Sequence, residues 1–76
     1  MKSEITNYRD VLGSDVPNDG MYLELRDSSD SVVACVFRSD ATGLFEVHVG
    51  PAVAPLVVID AFVERAKKRL LERTGG

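Results

Sequence analysis

Side chains that could do chemistry are few in this 76-residue chain: one histidine (His48), one cysteine (Cys35), and carboxylates of which Glu24 and Glu46 stand in strand-like stretches. A histidine beside a carboxylate is the pairing that general-base catalysis uses, because the imidazole takes the proton and the carboxylate orients it. A cysteine becomes a nucleophile where a cation or a helix N-terminus stabilises its thiolate. One histidine and one cysteine fall short of the three or four ligands of a zinc site, so no metal is expected. Gly13, Gly20, Gly43 and Gly50 are isolated from one another, so there is no glycine-rich phosphate loop and no nucleotide or other cofactor is expected.

These residues can act together only if the elements that carry them bring them to one surface. Asn18-Asp19-Gly20 turns the chain into a run in which Met21, Leu23 and Leu25 alternate with Tyr22, Glu24 and Arg26, the period of a half-buried strand. Asp27-Ser28-Ser29-Asp30 is a turn cluster ahead of a β-branched run, and Ser39-Asp40-Ala41-Thr42 leads to Gly43, free to take a positive φ where a hairpin closes. The expectation is a three-stranded antiparallel β-meander over about 20–27, 31–38 and 43–49.

If each turn spans four residues, Arg26 faces Ser31 and Arg38 faces Gly43. One side of the sheet then carries Met21, Leu23, Leu25, Val32, Ala34, Val36, Phe45, Val47 and Val49, an apolar set suited to a core. The other is mixed and holds Tyr22, Glu24, Arg26, Val33, Cys35, Phe37, Leu44, Glu46 and His48. This register aligns Glu24, Val33 and His48 in one row and Tyr22, Cys35 and Glu46 in the next. The charge nearest the thiol is then Glu46, which disfavours a thiolate and points to Cys35 as a small buried hydrophobe.

After Gly50-Pro51 the pattern changes to helical spacing over about 55–73, with Pro55 at the first helical position. Ile59, Phe62, Val63, Ala66 and Leu70 form one stripe, with Leu56 at its upstream edge, and this stripe should cover the apolar sheet face. Asp60, Glu64 and Lys68 follow one another at i, i+4 on the wet side, and basic residues gather near the C-terminal end where the helix dipole favours them. Residues 1–18 are an arm that could hold a short helix over about 3–12, with Ser3 as its cap and Ile5, Tyr8, Val11 and Leu12 as apolar positions; residues 74–76 form a tail. The fold class is α+β, a single small domain over 1–76.

Composition narrows the functions. With 45% hydrophobic and 28% charged residues the chain belongs among ordinary globular proteins. Its net charge of −3 argues against a nucleic-acid partner, which is held by clustered Lys and Arg. The longest apolar stretch is broken by Pro55 and is far short of the roughly 20 residues of a membrane span. A lone cysteine and an N-terminus without a secretion signal suggest the cytoplasm.

The chain length and the terminal Gly75-Gly76 resemble the tail of ubiquitin-like carrier proteins, whose last glycine is activated and conjugated. The resemblance stops there: β-grasp carriers place their helix between strands and finish on a strand, whereas here the helix comes last. Gly75 also suits the residue just past a helix end. The leading expectation is a non-catalytic small protein of regulatory, accessory, antitoxin- or immunity-like kind. It would act by protein–protein contact and self-associate as a homodimer, because Val33, Phe37 and Leu44 with the helix's Val57, Ala61 and Leu71 exceed what a monomer hides. Its partner surface is the mixed face: Tyr22, Glu24, Val33, Phe37, Leu44, Glu46 and His48. The alternatives are a small enzyme using His48 with Glu24, and a carrier.

Overall fold

Local turn chemistry decides the architecture. The computed structural model describes residues 7–74 and orders them as β1 (Arg9–Asp15), β2 (Gly20–Arg26), β3 (Val32–Ser39), β4 (Phe45–Val49) and α1 (Leu56–Thr74). The strands make one antiparallel sheet in the order β1-β2-β3-β4, and α1 lies on β2 and β3. The class is α+β, as the sequence indicates, but the sheet has four strands rather than three.

The extra strand replaces the expected N-terminal helix. Asp15 caps the first turn: its carboxylate accepts from the Asn18 backbone N–H (3.3 Å) and from the Asn18 side-chain amide (3.0 and 3.1 Å). Asp19 N–H donates to the Val16 carbonyl (3.1 Å), with Asp19 at φ 55°. The Asn18-Asp19-Gly20 signal therefore closes a hairpin whose first arm is β1. An isolated helix of ten residues is marginal in water, whereas pairing with β2 satisfies the same backbone groups in a ladder. Ser3 and Ile5 lie outside the described residues, as do Gly75 and Gly76.

Both hairpin registers are offset by two residues from expectation. Leu23 faces Val36 and Leu25 faces Ala34, while Val36 faces Val47 and Arg38 faces Phe45. In the β2–β3 hairpin, Asp27 N–H donates to the Ser31 carbonyl (3.0 Å), leaving a three-residue loop with Asp30 left-handed at φ 64°. The Asp27 carboxylate accepts from the N–H groups of Ser29 (2.9 Å) and Ser31 (3.0 Å), fixing that loop. A β-bulge between Leu25 and Arg26 supplies the second step, since Arg26 pairs with Val32 and Leu25 with Ala34, leaving Val33 as the extra residue. In the β3–β4 hairpin, Ser39 N–H donates to the Leu44 carbonyl (3.1 Å), and Gly43, at φ 74°, donates to the Ser39 carbonyl (2.8 Å). Side chains alternate with a period of two, so a two-residue offset leaves the face assignment intact.

Leu23, Leu25, Ala34 and Val36 are buried beneath Phe62, Ala66 and Leu70 of α1. Val33 departs from the mixed face to which the sequence assigns it. The bulge turns it into the core, where it is 0% exposed. Ile59 and Val63 are half-buried beside this cluster, whereas Leu56 is 71% exposed. Pro55 stands just before the helix rather than at its first position, and its carbonyl accepts from Val58 (3.0 Å) and Ile59 (3.3 Å). Of the wet-side charges, Glu64 pairs with Lys67 (3.2 Å) rather than with Lys68. Val47 and Val49, expected in the core, are 51% and 71% exposed because they stand on the β4 edge, beyond the strands that carry α1. Among the described residues no helix is long and apolar enough to cross a membrane.

Candidate functional site on the open sheet face

With α1 on one side, the other side of the sheet carries the residues that could do chemistry. Its rows follow from the register. Val11, Glu24, Cys35 and His48 stand opposite one another across β1, β2, β3 and β4, and Gly13, Tyr22, Phe37 and Glu46 form the next row. The expected rows are thereby re-sorted. Cys35 takes the place of Val33 between Glu24 and His48, and Phe37 takes the place of Cys35 between Tyr22 and Glu46.

The glycines of this face make room for its aromatics. The Tyr22 ring lies against Gly13, where any added side-chain carbon would run into the ring. The Phe37 ring tip lies in the same way against Gly20. Both rings are thus laid along the sheet instead of standing off it, and both remain half-buried. Between them and β4 is a shallow hollow of about 850 Å³. Six of the seven residues assigned to this surface from sequence line it: Tyr22, Glu24, Phe37, Leu44, Glu46 and His48. Val33 does not, being in the core. Leu44 lies in the loop just before β4 and is 67% exposed at the rim.

The electrostatics of the hollow are acidic. Asp15, Glu24 and Glu46 line it together with His48, whose Nε2 is 3.4 Å from Glu46 Oε1. Glu24 is held by Arg26, whose Nε donates to Glu24 Oε1 at 3.0 Å, and Arg26 also donates to the Asp30 carbonyl (3.0 Å). The hydrogen bond to Glu24 is the main reason that the Arg26 guanidinium holds its proton more firmly than usual. Burial pushes the Cys35 thiol up from its ordinary value, and the negative charges of Glu24 and Asp15 push it further. Burial first, and then Glu24 and Asp15 rather than the Glu46 to which the sequence points, disfavour the thiolate. Glu24 and His48 are two strand spacings apart, roughly 9 to 10 Å at the backbone, so neither orients the other directly. Among the described residues no three His, Cys, Asp or Glu side chains form a group that could hold a metal ion.

Sequence reasoning missed Asp15, Asn18, Ser39 and Thr42, which also line the hollow. All four belong to the ends and turns of hairpins, and recognition of β1 would have placed Asp15 and Asn18 there. The Pro-Asn-Asp-Gly turn at 17–20, which needs a strand on each side to close a hairpin, is the signal that points to it. No family model, no curated protein and no solved structure matches the chain.

Proposed function

We propose that the protein is a small non-catalytic interaction module, of regulatory, accessory, antitoxin- or immunity-like kind, that docks a protein partner on its open sheet face. The observation that supports this reading is the make-up of that face. Half-buried Tyr22, Cys35 and Phe37 stand in a hollow rimmed by exposed Leu44 and by the carboxylates of Asp15, Glu24 and Glu46. Aromatic groups laid flat on a rigid sheet supply contact area with little entropy left to lose, and acidic groups around them select for a basic surface. The partner that fits is a protein presenting an apolar or aromatic projection flanked by Lys or Arg. The 76 residues act as one domain, in a reducing cytoplasm where the free Cys35 stays a thiol.

Capture from native lysate with a photo-reactive residue at position 37 tests this reading, with the same residue at Glu64 on the exposed side of α1 as control. A discrete protein cross-linked from position 37 and absent from position 64 supports it. Equal or no cross-linking from both positions removes it.

A second reading has the Glu24, Cys35, His48 row in its favour: a small enzyme in which His48 activates the thiol. It requires Cys35 to react with an electrophilic probe faster than an ordinary thiol at neutral pH and to lose that advantage in His48→Ala. Burial of the thiol, and the carboxylates beside it, disfavour a thiolate and weigh against it.

A further inference from the structure

We infer that β4 is a self-pairing edge: two copies of this chain join antiparallel through β4, with the two-fold axis at Val47, into one continuous eight-stranded sheet. This goes beyond the proposed docking function and stands on different observations. The hydrogen-bond phase of the strand is the first. Ser39 N–H donates to Leu44 O (3.1 Å) and Gly50 N–H to Val33 O (2.8 Å), so Leu44, Glu46, His48 and Gly50 turn their backbone groups toward β3. Phe45, Val47 and Val49 therefore turn their N–H and C=O groups outward. An antiparallel copy must pair these three residues with their counterparts, which restricts the register to steps of two.

Side chains then choose among the registers. With the axis at Glu46 the two Glu46 carboxylates face each other, and with the axis at His48 the two imidazoles do. With the axis at Val47, Glu46 of each copy faces His48 of the other, and Val47 faces Val47. On the helix side Phe45 then faces Val49 twice, so the strand FEVHV complements itself in both hydrogen bonding and side-chain character. This register also covers apolar surface that α1 leaves open, namely Val47 at 51% and Val49 at 71% exposure. No Pro or Lys guards the strand, as is usual for an edge that stays unpaired. The opposite edge, β1, puts Asp10 and Ser14 on its helix side, in register with Leu25 and Met21, and has no comparable apolar row. A two-fold axis perpendicular to the sheet keeps both helices on one side, leaving the two open faces as one surface.

The experiment is a charge swap read as solution mass by analytical ultracentrifugation, with circular dichroism confirming the fold of each variant. Both sites are exposed side chains, so the monomer fold should tolerate the changes. Wild type should sediment as twice the 8.3 kDa chain. Glu46→Lys sets Lys against His48, and His48→Glu sets Glu against Glu46, so each variant alone should dimerise roughly tenfold more weakly. Mixed together, the two variants should form a heterodimer, since the introduced Lys then faces the introduced Glu and the other pair is the native Glu46 with His48. A change acting only within each chain cannot produce that rescue. A monomeric wild type at every concentration, or a dimer indifferent to both substitutions and to mixing, overturns the inference. Cross-linking from position 37 is unaffected by either result, so this test and that of the docking reading fail separately.

Discussion

Arg65 in α1 donates two hydrogen bonds to the Asp10 carboxylate in β1, at 2.9 and 3.0 Å, across 55 positions of sequence. The fork geometry suits a planar guanidinium, and the hydrogen bond from Arg65 is the main reason its proton is held more firmly than usual. Arg65 also lies over the Phe62 ring, 5.7 Å from its centroid, so it connects the edge strand to the core stripe of the helix.

Asp10→Asn should therefore destabilise the fold modestly, by about 0.5 kcal/mol, since the pair is partly exposed and screened by solvent. Urea unfolding at low and high salt checks this. The difference from wild type should shrink as salt rises, and a salt-independent difference would place the role of Asp10 elsewhere.

Val33 is the sharper test of the bulge. As the extra residue turned into the core it is fully buried, so Val33→Ala should cost about 2 kcal/mol in unfolding free energy. A residue on the open face would lose a few tenths at most. A near-neutral Val33→Ala in denaturant unfolding would mean that the bulge is misplaced and the mixed-face assignment correct.

The Cys35 thiol gives a pH dependence of known sign. Burial first, and the charges of Glu24 and Asp15 second, favour its protonated form in the folded protein. The folded chain thus holds this proton to higher pH than the unfolded chain. The stability it contributes is complete below the ordinary thiol value of 9.0 and is lost as pH rises through the raised folded value. In urea unfolding across this range, the difference between wild type and Cys35→Ala should change in that direction. Maleimide labelling of the native protein should be slow at neutral pH, and labelling as fast as a free thiol would contradict the assignment.

The faces of the sheet were legible in the sequence and the registers were not. Alternation in Met21 to Arg26 and in Phe45 to Val49 fixes which residues share a side, and an offset of two leaves that intact. Register depends on loop length and on the bulge, and nothing in Ser31-Val32-Val33-Ala34 distinguishes an extra residue from a paired one. Tyr22, Glu24, Phe37, Glu46 and His48 therefore share one face, as the alternation indicates, while Val33 departs from it and Cys35 takes a different row. β1 was hidden for a different reason. Tyr8, Val11 and Leu12 satisfy helical spacing as well as they satisfy a strand, and tertiary pairing with β2 decides between them.

In the proposed function, the open sheet face is the surface that meets a partner. Photo-cross-linking from position 37 against position 64, in native lysate, measures this most directly. The expected result is one discrete protein joined at 37 and nothing joined at 64. Cross-linking at 64 with none at 37 would place the functional surface on the helix and contradict the account.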